Sequence, residues 1–120
     1  MTFWVWSGVA VLGGLSAIAR FALDGVVASR AGRSFPYGTL AVNASASFLL
    51  GLVTGLALTG NALLLVGTAT IGSYSTFSTW MLETHRLAED GEMGAAVANI
   101  VVSLAVGVGA AALGRAIVGR

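Results

Sequence analysis

Four apolar windows, each about as long as a bilayer core is thick, leave this chain little choice but to fold as membrane helices. Crossing the hydrocarbon region takes about 20 mostly apolar helical residues. The windows cover residues 3–23, 39–60, 62–82 and 94–118, with Pro36 just ahead of the second. The link Gly60-Asn61 is so short that the second and third windows should form an antiparallel hairpin. The other connectors, DGVVASRAGRSFPYG and ETHRLAEDGEM, are polar. The expected fold is therefore all-α, with four transmembrane helices in a single integral membrane domain over residues 1–120. Composition agrees: 9% of residues are charged, against roughly 25% in soluble domains, and mean hydropathy is +0.91.

Charge narrows the function. The basic residues are all arginines, the net charge is +1, and no basic cluster of the kind nucleic acid requires is present. Cysteine is absent, which excludes disulfides and thiolate metal sites. The N-terminal MTFWVWSGVAVLGGLSAIAR lacks the basic start of a secretory signal and reads as a retained first span, with Trp4 and Trp6 suited to an interfacial belt. Four spans put Arg20, Arg30, Arg33 and Arg86 on one side of the membrane and Arg115 and Arg120 on the other. That bias is weak and leaves both orientations open. No Asp, Glu, Lys or His falls in the middle of a window, which argues against a proton-coupled pump and against a hydrolase. His85 reads as a solvated loop residue. Many of the 17 glycines read as close-packing positions in lipid, among them Gly51 with Gly55, Gly13 with Ala17, and Ala110 with Gly114.

The remaining polar residues are neutral and spaced as helix faces. Thr39, Asn43 and Ser47 recur every fourth residue on the second window; Asn99, Ser103 and Gly107 do so on the fourth. Ser75, Ser78 and Thr79 follow i, i+3, i+4 spacing on the third. Each contact of this kind is ordinarily a hydrogen bond between helices, worth about 0.6–2 kcal/mol. Three uncharged stripes on three helices together suggest a narrow polar path. The third window also contains IGSYSTFSTW, residues 71–80, in which glycine and hydroxyl side chains weaken the helix. A break here would free carbonyl oxygens, which are hard ligands suited to a cation. Such backbone is tolerated at depth only when buried in protein or lining a cavity.

Three segments resemble the Fluc (CrcB) fluoride channel family, in the family's order and spacing: GGLSAIARF (13–21), GTLAVNASASFLLG (38–51) and GSYSTFSTW (72–80). The resemblance implies a passive, fluoride-selective channel in the cell membrane rather than an enzyme, which exports cytoplasmic fluoride and lowers its toxicity. It implies an antiparallel, dual-topology dimer of four-helix subunits with the third helix broken near its middle. The dimer would be a homodimer or a heterodimer with a homologous subunit, set in the lipid bilayer. It further implies a sodium ion at the dimer centre, held by the backbone carbonyls of Gly72 and Ser75 in a break spanning Gly72 to Thr76. Phe77 matches the first pore phenylalanine, and Trp80 stands where a second is usual. Asn43 matches the pore-vestibule asparagine, Ser103 the fourth-span pore serine, and Arg20 the arginine ending the first span. Ser78 and Thr79 are expected to add donors to the fluoride path beside them, with Thr39 and Glu83 at the vestibule. Arg20 and Glu83, at the same membrane face, are expected to pair. Trp80→Phe restores the usual ring and is expected to be tolerated. The competing readings are a small four-helix multidrug transporter, which would want a carboxylate in its first span, and a structural membrane protein.

Overall fold

The computed structural model describes residues 2–118. Helix α1 runs Phe3–Ala31, eight residues beyond the sequence window, because DGVVASRA continues the helix despite its polarity. Thr2 caps its start, its hydroxyl accepting from the Val5 N–H at 3.3 Å. Gly32 ends it at φ +83 and ψ −178, a region essentially reserved for glycine. At 1.5 Å per residue α1 is about 44 Å long, more than the roughly 30 Å hydrocarbon core requires. The excess is taken up by tilt or by turns beyond the hydrocarbon core.

Helix α2 spans Tyr37–Leu56 and stops four residues short of its window. The Thr54 hydroxyl bonds the Gly51 carbonyl within its own helix, and Gly55 weakens the final turn. Ala57 adopts the left-handed conformation (φ 55, ψ 44), so the hairpin link is Ala57–Thr59 rather than Gly60-Asn61. The expected third span is divided. Its first half, α3 (residues 60–74), contains a π-helical stretch, Leu63–Ile71, in which the Thr70 hydroxyl reaches the Leu65 carbonyl at 2.7 Å. The chain is interrupted over residues 75–77 and resumes as α4, Ser78–Glu89. His85 thus lies on a helix, not in a loop, and pairs with Glu89 one turn on at 3.4 Å. Helix α5 spans Met93–Val118. Helices α1, α2 and α5 are long and apolar enough to cross a membrane; α3 and α4 together make the fourth, discontinuous segment.

The closest approach is between α2 and α5. A Cβ at Gly51 would overlap the Ala111 carbonyl, and one at Gly114 would overlap the Phe48 carbonyl. Backbone cannot yield there as a flexible side chain could. Gly114→Leu is expected to destabilise the bundle by at least the upper end of the roughly 1–3 kcal/mol typical of overpacking. Unfolding in mixed micelles measures this, and an unchanged transition would contradict the glycine-mediated crossing. Gly13 is looser: a Cβ there would lie 3.2 Å from the Ser73 hydroxyl on α3.

Little of the apolar surface is covered by the chain itself. Among the described residues the largest fully buried side chains are Val42, Thr39 and Asn99, and a small cluster of Ala46, Val53 and Ile71 is flanked by Leu58 and Tyr74. Large apolar residues such as Trp4, Phe21 and Val108 face outward along the helices. In water such a surface would be untenable; in lipid it is the expected exterior.

Candidate functional site

The site is organised by one asparagine. The Asn43 side-chain amide donates to the Thr76 carbonyl at 2.7 Å, and its Oδ1 accepts the Thr76 N–H at 2.8 Å. The side chain on α2 thereby supplies both partners that a continuous helix would have given the Thr76 peptide. Ser75, at φ −75 and ψ 163, is extended, whereas Gly72 to Tyr74 are still helical. The break is thus 75–77, not 72–76. Among the described residues, no backbone N–H donates to the carbonyls of Gly72, Ser73, Tyr74 or Ser75. Thr76 also opens α4, its hydroxyl accepting the Thr79 N–H at 3.2 Å. Below the break, the Tyr74 hydroxyl meets Ser45 at 2.8 Å. Ser45 points its own proton at the Ala41 and Val42 carbonyls, so Tyr74 is the donor.

A groove of about 410 Å³ lies alongside the break. Asn43 and Ser47 of α2, Ser103 and Gly107 of α5, and Phe77 and Trp80 all line it. Two of the three residues of each uncharged stripe read from the sequence therefore face a common space with both aromatic rings, whereas Thr39 and Asn99 are buried away from it. Phe77 is 69% exposed. Its ring meets Trp80 edge to face, with centroids 5.8 Å apart and planes at 83°. The Asn43 amide keeps its second N–H beyond the one given to Thr76, and among the described residues no carboxylate or basic side chain lines this groove.

Other expected residues stand elsewhere. Ser78 is exposed and lines none of the cavities described here, and Thr79 faces away from the groove. Thr79 lines a second cavity of about 170 Å³ with Arg20, Asp24 and Thr39. Thr76 borders both spaces. Arg20 and Glu83 do not pair; Glu83 shares a cavity with Asp24, Arg33 and Arg86 instead. The Glu83 Oε1 is buried without a hydrogen-bond partner. Arg33 and Arg86, from the polar connectors, occupy the Glu83 end of the bundle, which Arg20 was expected to serve.

Sequence reasoning missed the network behind Trp80. The indole N–H donates to the main-chain carbonyl of Asn99 at 3.1 Å. Asn99, fully buried, donates through its side chain to Thr84 at 2.9 Å, and Thr84 donates to the Trp80 carbonyl at 2.8 Å. The Ser103 hydroxyl reaches Asn99 Oδ1 at 3.4 Å. The stripe Asn99–Ser103–Gly107 was legible as a helix face, but nothing local to it indicated a bond from an indole.

Membrane-length helices, one of them interrupted, and a groove of neutral donors and aromatic rings define a multi-pass integral membrane protein of the channel type. The chain belongs to the CrcB family: the family model described as "CrcB-like protein, Camphor Resistance (CrcB)" matches residues 7–115. It is 57% identical to "Fluoride-specific ion channel FluC 2" of Mycolicibacterium paratuberculosis, over 92% of this chain and 91% of that one. It is 49% identical to "Fluoride-specific ion channel FluC 1" of Leifsonia xyli, over 95% and 86% of the two chains. "Fluoride-specific ion channel FluC" of Syntrophotalea carbinolica is 45% identical over 88% of this chain and 90% of its own.

Proposed function

We propose that this protein is a fluoride-selective channel of the cell membrane that lets fluoride leave the cytoplasm passively. The observation that carries the reading is the convergence of Asn43, Ser103, Phe77 and Trp80 on one groove lined, among the described residues, by no charged side chain. Burying an unpaired ion costs tens of kcal/mol by a Born estimate, so an anion needs donors along its whole route. Conduction also requires that each stop be weak. Neutral amide and hydroxyl donors meet both demands, and aromatic rings add a positive edge to their negative face. A guanidinium at mid-groove would hold fluoride too tightly; Arg20, the arginine beside the break, lines the separate cavity on the far side of Thr76 instead.

The working unit of this proposal is an antiparallel dimer, either of identical chains or with a homologous subunit. Supporting it are the exposed Phe77, the outward apolar surface and the weak arginine bias. The carbonyls of Gly72 and Ser75 fit a sodium ion at its centre, since no backbone N–H among the described residues occupies them. A cation there would supply positive potential near the groove without standing in it. Gly72 has a helical φ of −62 and room for a Cβ, so any demand for glycine at this position comes from the partner subunit or the ion, not from its own chain.

Purified protein in liposomes is expected to release fluoride down its gradient without a proton gradient, and a cysteine at one terminus to be labelled from both sides of the membrane. Proton-driven export of lipophilic cations with no fluoride flux would replace this reading with a multidrug transporter. Labelling from one side alone would remove the antiparallel assembly.

A further inference from the structure

We infer that Trp80 is a positioning residue whose indole N–H, bonded to the Asn99 carbonyl on α5, locks its ring and thereby fixes the orientation of Phe77 across the groove. The inference deepens the channel reading and rests on it only for its consequence on flux. The lock has two attachments to the same buried residue. The ring is tied directly to the Asn99 carbonyl, at 3.1 Å. The Trp80 backbone is tied indirectly, its carbonyl accepting from Thr84, which in turn accepts from the Asn99 amide. Asn99 is wholly enclosed and cannot easily follow a moving ring.

Phe77 has no such attachment. It sits at the end of the break, is mostly exposed, and has the Trp80 ring as its aromatic neighbour. An edge-to-face pair transmits orientation, because a ring free to rotate would turn its negative face to a partner that prefers its edge. Phe77 is therefore held by Trp80, and Trp80 by α5. A phenylalanine at position 80 could fill the space but could not donate to Asn99. Trp80→Phe, which the sequence alone suggested would be tolerated, should instead release the pair. The Asn99 carbonyl lies within α5 and retains a helical partner, so the change removes a constraint without leaving a buried group stranded.

The test separates the donor from the bulk. Replacing Trp80 with 3-benzothienylalanine keeps the bicyclic shape and removes the N–H; Trp80→Phe removes both. Both are expected to lower fluoride flux in liposomes about threefold, the equilibrium worth of an average hydrogen bond between membrane helices, and to lower the fluoride-to-chloride permeability ratio. With 4-fluorophenylalanine at position 77, the ¹⁹F spectrum should be one sharp resonance with Trp80 and a broadened or split one with Trp80→Phe. A single sharp, unshifted resonance in Trp80→Phe, or wild-type flux with benzothienylalanine, overturns the lock. Should the wild-type protein pass no fluoride, the channel reading fails, and the ¹⁹F comparison still decides the lock by itself.

Discussion

Asn43→Ala is expected to unfold the region of the break and to abolish fluoride flux with it. Most hydrogen bonds between membrane helices contribute little, about 0.6 kcal/mol on average, because the separated helices find other partners. The bonds of Asn43 are different in kind. They satisfy the N–H and C=O of the Thr76 peptide, which lies in an interruption of the helix and has no turn before or after it to bond. Removing the side chain leaves a donor and an acceptor unsatisfied at membrane depth, at about 1–3 kcal/mol each. A loss of roughly 2–6 kcal/mol is expected from unfolding in mixed micelles. Asn43→Asp makes a sharper comparison. It preserves shape and the acceptor for the Thr76 N–H, but an ionised carboxylate has no donor for the Thr76 carbonyl and repels it. It should therefore be about as damaging as alanine. If Asn43→Ala kept wild-type stability and lost only flux, Asn43 would be a ligand for the ion and not the clasp of the break.

The same clasp explains where the sequence was readable and where it was not. Helix-length apolar windows follow from composition alone, and α2 and α5 lie within a few residues of theirs. The polar stripes on these unbroken helices hold in part: Asn43, Ser47, Ser103 and Gly107 meet, while Thr39 lines the second cavity and Asn99 is buried. Spacing fails across the break. Counting Ser75, Ser78 and Thr79 as i, i+3 and i+4 assumes a continuous helix, but the extended Ser75 resets the phase and turns Thr79 towards Arg20. The position of the break was itself misplaced, because it is fixed by a side chain 33 residues earlier and not by the local run of hydroxyls. Arg20 and Glu83 were expected at the ends of their spans, but α1 continues to Ala31 and α4 to Glu89, so both lie within helices, and Arg20 lines the cavity with Thr79 rather than meeting Glu83. The bond from Trp80 to a main-chain carbonyl 19 residues away leaves no mark in the pattern of residue types.

Phe77→Ile should slow fluoride flux by about tenfold or more while leaving the protein folded. Phe77 is the most exposed residue of the groove's aromatic pair, and its own chain gives it little packing to lose. Isoleucine keeps a bulky apolar group there, so the wall that excludes water from the ion remains. What disappears is the quadrupole, with its positive edge. Aromatic interactions of this kind contribute about 0.5–1.5 kcal/mol beyond burial. Added to a barrier, the upper part of that range slows passage by about tenfold. The effect should be greater if the ring contributes at successive positions of the ion. Alanine is the poorer test, since it also opens a cavity and confounds packing with electrostatics. The contrast with Asn43→Ala is the useful one. That change should lose stability and flux together, whereas Phe77→Ile should lose flux at unchanged stability in micelles. If the ring served only as packing, the fall in flux would instead follow the fall in stability. Near-wild-type flux in a well-folded Phe77→Ile protein would sink the pore role of Phe77. The comparison needs identical chains throughout, because the aromatic rings of an unmutated partner could sustain one path.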